Sequence, residues 1–430
     1  MDILIGVIVG LLVLMFLVTA HEFGHFIAAR RNGVNVLEFG IGFPPRMAAW
    51  VKDPKTGKWR KLPRKEWAKE KVSKVVYSDE KTKGLAQKGM VFSLNWLPIG
   101  GFCQMDGESA EDSRKGTFGK AGYWSKTKIL FAGVAMNWLI AFLIFTFLAW
   151  FGMPEFLDNQ FAIPSDTSTV KVPVKITFVA GESPASNAGL QKNDYIVKVG
   201  GEEIEYSYQI TDFNEQHAGE TVVYTIERLS CGQEECEYNA GGNNITYEDI
   251  EVTLNPIGSK FLLGVTMAST QAMSYSTWSA PLVGAGLTAQ LTGETFKGVG
   301  VMLWTLVSGI GSQFSFDAGV RESGQAAISA VGDSVSGPVG IIGMLFPAFT
   351  AAGPANLAFL AALISVSLAC MNVLPIPALD GGRWLLITIY KLRRKKLTKE
   401  IEEKIVSRAF LVLLALIFIV TILDIVRIAQ

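Results

Sequence analysis

The chain has 430 residues, enough for two or three ordinary domains. Apolar residues make up 49% of it and charged residues only 18%, against about 25% charge in soluble chains, and the mean hydropathy of +0.31 excludes a purely soluble protein. Thirty-nine basic residues balance 39 acidic ones, so no overall charge favours nucleic acid, and four cysteines exclude a disulfide scaffold.

Residues 3–20 are uncharged and apolar, and the run resumes at 26–29 beyond the string His21-Glu22-Phe23-Gly24-His25. A cleaved signal peptide does not fit: Asp2 stands where a basic n-region belongs, and Arg30-Arg31 follow rather than precede. Residues 129–152 form a second uncharged run. A third is centred on 357–374 and a fourth is 409–423, flanked by Arg408 and Asp424. About 20 helical residues cross a bilayer, so four transmembrane helices are expected. The 278–310 stretch carries Glu294, Lys297 and frequent glycine, and reads as an interfacial amphipathic helix.

Charge segregates along the chain. Residues 30–128 hold 21 basic and 10 acidic side chains, 153–275 hold 6 and 18, and 391–408 hold 8 and 3. The positive-inside rule puts the two basic stretches in the cytoplasm and 153–275 outside. Within 168–268, short β-branched runs separated by Gly, Asn and Pro predict a compact β-rich unit. Cys231 and Cys236 flank an acidic, Asn/Gly-rich excursion (231–249) and form either a small disulfide or two reduced thiols. His217 lies in this unit and reads as surface or structural.

The chemistry concentrates in HEFGH. Positions i and i+4 share a helix face, so His21 and His25 can grip one metal ion, and Glu22 beside them can take a proton from water. A Glu and two His at membrane depth are costly and therefore functional. Catalytic zinc takes a third protein ligand, and His217 is on the wrong side. Asp380, closing NVLPIPALDGG (372–382) at the cytoplasmic end of the third span, is the better candidate. Asp424, towards the opposite face, is the alternative. Pro375 and Pro377 leave carbonyls unpaired, which membrane depth tolerates only beside protein or water. Asn372 is then placed to hydrogen-bond a substrate peptide or an oxyanion, or else to join helices.

HEFGH, a β-rich insert and NVLPIPALDGG resemble the site-2 protease family of intramembrane zinc metalloproteases, in particular the bacterial type that regulates sigma-E. Further matches are Gly133-x-x-x-Asn137, LPIGGF (97–102), MDGE (105–108) and SGPVGI (336–341). Ser183-Pro184-Ala185, Ala188-Gly189-Leu190 and Asp194 resemble the bacterial type of PDZ domain, here one unit rather than two. The resemblance implies Zn2+ held by His21, His25 and Asp380, Glu22 as general base, and a membrane-associated β-hairpin at 100–105, with Gly100, Gly101 and Phe102 pairing with unwound substrate. It also implies single-span membrane substrates such as an anti-sigma factor, peptide termini bound at the PDZ-like domain, and a stress-response role.

The expected fold is an α-helical polytopic inner (plasma) membrane protein with an inserted extracytoplasmic PDZ-like domain. In chain order, 1–30 is the first transmembrane helix, 31–128 a cytoplasmic loop with the β-hairpin, and 129–152 the second helix. The PDZ-like domain spans 168–268, an interfacial helix and connector 277–345, and the third helix with its LDGG motif 355–382. A basic cytoplasmic loop (383–407) leads to the fourth helix, 408–428. Two other readings share some of these features: a catalytically silent PDZ adaptor and a zinc transporter or sensor.

Overall fold

The computed structural model describes residues 2–52, 57–62, 90–108, 114–157, 159–170, 173–204, 207–230, 244–259, 261–268, 272–315, 317–334 and 337–429. The Cys231–Cys236 pair lies outside these residues. The chain forms two compact units, one of residues 1–148 and 280–430 and one of 149–279.

The larger unit is built on helices whose sequences are apolar all round. Helix α1 (Asp2–Arg31) ends on Arg30 and Arg31, which suit the negative end of its dipole. Helix α2 runs from Tyr123 to Phe151. Between them lie strands β1 (Val36–Lys52), β2 (Trp59–Lys61) and β3 (Val91–Met105). The simple hairpin expected from sequence is more elaborate, because β1 and β3 each fold back on themselves. The first half of β1 pairs with both ends of β3, as Phe39 faces Cys103 on one side and Phe92 on the other. The second half of β1 pairs with the start of β3 (Trp50 with Phe92) and with β2 (Trp50 with Lys61). Residues 101–105 of β3 therefore form an outer edge, and among the described residues no strand pairs on their far side. Buried Glu38 takes a two-pronged ion pair from Arg46, at 2.9 and 2.7 Å, which ties the two halves of β1 together.

After the insert come α5 (Ala280–Ser312) and α6 (Ala318–Ser334), then the short apolar helix α7 (Pro338–Ala351) with a π turn at Ile341–Leu345. Helix α8 (Pro354–Val373) stops before the Pro375/Pro377 break, α9 (Asp380–Leu392) follows it, and α10 (Lys399–Ala429) ends the chain. All of the 278–310 stretch but its first two residues is thus part of one 33-residue helix, Ala280–Ser312, whose first half packs inward through Val283, Leu287 and Leu291.

Four helices, α1, α2, α8 and α10, are long and apolar enough to cross a membrane, as the sequence predicts. Their outer faces are undressed hydrocarbon: Leu4, Phe147, Leu411, Val412 and Phe418 are all exposed. A contiguous apolar surface of that size needs lipid around it. Inside, Phe145 meets Phe359 edge-on, and the Ser365 hydroxyl donates to the Asn137 carbonyl, joining α2 to α8.

The second unit is β-rich, and its smaller elements include strands β4 (Met153–Pro154), β5 (Ser168–Val170) and β8 (Glu202–Glu203) and helices α3 (Pro184–Ala188) and α4 (Ser207–Gln216). Strands β6 (Val174–Val179), β7 (Tyr195–Val199), β9 (Thr221–Ser230), β10 (Asn244–Thr253) and β11 (Val265–Ala268) form a sheet in the order β10-β9-β7-β6-β11. Its inward alternate residues (Val174, Ile176, Ile196, Tyr224, Ile226) pack with Ile210 of the helix Ser207–Gln216 into one core. Buried Asp194 is held by Arg228 through two bonds of 2.7 and 2.8 Å.

Candidate active site

Helix α1 presents His21 and His25 one turn apart, with ring centroids 4.8 Å apart and ring planes at 80°. Both rings are buried, at 7% and 6% exposure. The Pro375/Pro377 break ends α8, and α9 restarts with Asp380 as its first residue. That turn carries the carboxylate to the imidazoles. Asp380 Oδ2 lies 3.1 Å from His21 Nε2 and 3.2 Å from His25 Nε2, and the two nitrogens are 3.1 Å apart.

This triangle is the shape one face of a tetrahedral metal site requires. Ligands about 2.0–2.1 Å from zinc stand roughly 3.3 Å from one another. Two acceptor nitrogens and a carboxylate oxygen do not otherwise converge in a buried site, since nothing but a shared cation or proton satisfies all three. A carboxylate oxygen of Glu22 also lies within 4.8 Å of the histidine nitrogens. Among the described residues, the donor set therefore fits a divalent ion with a carboxylate at its side.

The surroundings orient these ligands. His25 Nδ1–H donates to the Ile129 carbonyl at 2.8 Å, which leaves Nε2 with its lone pair. Next to His21 Nδ1, at 3.4 Å, stands the amide of Asn137, whose buried Oδ1 has no partner. Turning that amide over puts the oxygen against Nδ1–H and frees His21 Nε2 in the same way. One turn before Asn137, Gly133 lets the rings reach α2 at all, because a Cβ there would stand 2.6 Å from His21 Nε2 and from His25 Nε2. Gly381 and Gly382 seat α9 against the Val373 and Ile376 carbonyls of the turn. Helix α9 is fixed on α2 by Trp384 Nε1–H to Thr127 Oγ1 and by the Tyr123–Thr388 hydroxyl pair, each 3.1 Å.

The remaining site residues from the sequence are placed differently from one another. Gly100 (φ +81°) and Gly101 press against Val18 and Thr19 of α1, and Phe102 covers Gly40 in the neighbouring strand. From the same edge, the Cys103 N–H donates to Glu22 Oε2 at 3.0 Å. The Asn372 amide donates back to Leu368 O in its own helix at 3.0 Å. Asp424, the alternative ligand, instead accepts the Gly337 and Gly340 N–H groups at the start of α7. His217 donates from Nδ1 to Phe213 O and stacks on the Phe213 ring. The second row of residues (Ile129 O, Gly133, Asn137 and the Cys103 N–H) is what sequence reasoning did not assign to roles. The spacing of four between Gly133 and Asn137 in the charge-free run 129–152 is the signal that points to them.

A paired-histidine motif on an apolar helix, with a carboxylate brought beside it by the break in another helix, has the donor set of an intramembrane metallopeptidase. The chain belongs to peptidase family M50, whose model matches residues 9–60 and 80–417. It is 27% identical, over 98% of both chains, to a provisionally named zinc metalloprotease of Clostridium perfringens. A similarly named Staphylococcus aureus protein is 27% identical over 99% of both chains. Zinc metalloprotease Rip1 of Mycobacterium tuberculosis is 26% identical over 90% of this chain and 86% of its own. The chain is an integral membrane zinc metalloprotease of the site-2 type, acting on membrane-protein substrates within the bilayer. The adaptor and transporter readings are set aside with that result.

Proposed function

We propose that His21, His25 and Asp380 hold the zinc ion, that Glu22 is the general base, and that the substrates are transmembrane segments of single-span proteins. The observation that carries this reading is the triangle of ligand atoms, 3.1–3.2 Å on each side, with the Glu22 carboxylate next to it. Bound zinc supplies Lewis acidity to the scissile carbonyl and to the attacking water. Glu22 accepts a proton from that water and passes it to the leaving amine. His25 and His21 are kept in the metal-binding tautomer by Ile129 O and Asn137.

A transmembrane substrate must unwind before its peptide bond can be attacked, and lipid offers no replacement for the lost hydrogen bonds. The outer edge of β3 at Gly101–Cys103, beside Glu22, is suited to supply them by strand pairing. Asn372 takes a secondary place, since its amide nitrogen is spent within α8.

Orientation follows from the charge segregation: the basic loops and the zinc end of the bundle face the cytoplasm, and 153–275 lies outside an inner (plasma) membrane. The β-rich unit is PDZ-like and binds peptide termini, filtering substrates by the state of their outer domain. An anti-sigma factor, cleaved in a stress response, is the substrate type this arrangement suits. Zinc content of the purified protein, together with cleavage of a single-span test substrate, tests the central claim. Glu22→Gln retains zinc and lowers cleavage by about 10²–10⁴-fold, and undiminished cleavage by that variant refutes the role given to Glu22.

A further inference from the structure

In an edge strand, backbone N–H groups point alternately towards the neighbouring strand and away from it. On the β3 edge Cys103 and Met105 belong to the outward set, and the alternation extends it to Gly101. Two of these are already taken by carboxylates. Cys103 N–H donates to Glu22 Oε2 at 3.0 Å, and Met105 N–H donates to Glu108 Oε1 at 2.9 Å. Glu108 is itself fixed, because Arg383 of α9 donates to its main-chain carbonyl while pairing with the buried Glu402 at 3.2 Å. Glu22 has no such brace among the described residues; the Cys103 N–H is the hydrogen bond that holds it. The same carboxylate that faces the histidines thus caps the edge that a substrate strand would need.

We propose that Glu22 is a latch as well as a base: an extended substrate backbone pairing on the β3 edge at Gly101 takes over the Cys103 N–H and releases the Glu22 carboxylate, and the braced Glu108 cap at Met105 marks where pairing stops. The inference rests on the strand-pairing reading above and adds to it. Attack is then coupled to occupancy of the edge. A polypeptide that reaches the site without adopting an extended backbone leaves Glu22 tied, and the paired residue opposite Cys103 is the one brought beside the base. The short footprint, two outward N–H groups before the Met105 cap, requires local unwinding of the substrate rather than its complete extension.

The test reads binding. A short, end-blocked, uncharged peptide rich in Val and Thr is titrated onto the full chain in detergent, with zinc loaded and with zinc removed, the latter excluding turnover. Amide hydrogen exchange over 100–103 is followed in the same samples. Slowed exchange at Gly101 in the presence of peptide supports strand pairing, and unchanged exchange there overturns the pairing reading itself. Glu22→Ala removes the competing acceptor and is expected to bind the peptide about tenfold more tightly, the worth of a hydrogen bond to a charged acceptor, in both zinc states. Its Cys103 amide exchanges faster than wild type until peptide is added. Glu22→Gln keeps an acceptor oxygen and gains less. Protection at Gly101 combined with unchanged or weaker affinity of Glu22→Ala overturns the latch while leaving pairing intact, and equal gains by the Ala and Gln variants overturn it in favour of simple charge repulsion.

Discussion

Gly133→Ala adds a single methyl group to α2 and should weaken zinc binding. The new Cβ would stand 2.6 Å from His21 Cε1, His21 Nε2 and His25 Nε2, whereas nonbonded heavy atoms settle about 3.5 Å apart. The shortfall of roughly 0.9 Å falls on the two Nε2 atoms that meet Asp380, not on a flexible side-chain end. Neither ring can simply swing away. His25 is tied through Nδ1 to Ile129 O at 2.8 Å, and His21 is buried beside Asn137. Overpacking of this kind costs about 1–3 kcal/mol. If that cost falls on the metal-bound arrangement, zinc affinity drops by roughly 5- to 150-fold, at a factor of ten per 1.4 kcal/mol. Competition against a calibrated chelator measures it, with thermal unfolding followed in parallel to show that the bundle still forms. Gly293→Ala is the control, because a Cβ at that position of α5 meets nothing within 4 Å. Wild-type zinc affinity in Gly133→Ala would show that the imidazoles do not converge on the face of α2, and the site geometry would fall with it.

Two further substitutions probe what lies behind the ligands and away from them. Asn137→Ala removes the partner of His21 Nδ1 and should weaken zinc binding by about 10–100-fold, as loss of an outer hydrogen bond to a ligating histidine does; unchanged affinity by the same chelator assay counts against the tautomer assigned to His21. Arg228→Ala, in the β-rich unit, removes the cation from Asp194, whose side chain is 1% exposed and keeps the Gln191 N–H. Breaking a buried pair by removing one partner costs about 3–5 kcal/mol, and Arg228, 27% exposed, puts the expectation nearer the lower figure. Thermal unfolding should show that loss while zinc content stays at the wild-type level.

What the sequence could and could not disclose follows from the range over which each feature is encoded. The HEFGH string is local: its spacing of four and its apolar flanks are enough to put both imidazoles on one helix face. The placement of Asp380 beside the histidines was legible because Pro375 and Pro377 advertise a break in a charge-free run, and a lone acid beyond such a break has few structural uses. Asp424 has the same chemistry and the same rarity, yet it caps the start of α7 through Gly337 and Gly340, which lie 87 and 84 positions away in the chain. Nothing local separates a carboxylate that caps a helix from one that meets the histidines; only the fold, by choosing its neighbours, does so.

The sheet shows the same limit from the other side. Strand-forming residues are plain in 36–52 and 91–105, but the interleaving of two folded-back strands is a matter of register between segments about fifty positions apart, and register is set by pairing rather than composition. Helix α2 is harder still. Apart from Asn137 and Thr146, residues 129–151 have no strongly polar side chain, so hydrophobic periodicity does not tell which face meets α1, and only the Gly133/Asn137 spacing hints at it. The face is chosen by shape: where Gly24 of α1 approaches the Ala132 carbonyl and Gly133 admits two imidazole rings, the backbones come closest. Small residues permit close approach between membrane helices, and in this bundle that close approach brings the two imidazoles to Ile129 O and Asn137, which histidines on a helix kept a methyl group further away could not reach.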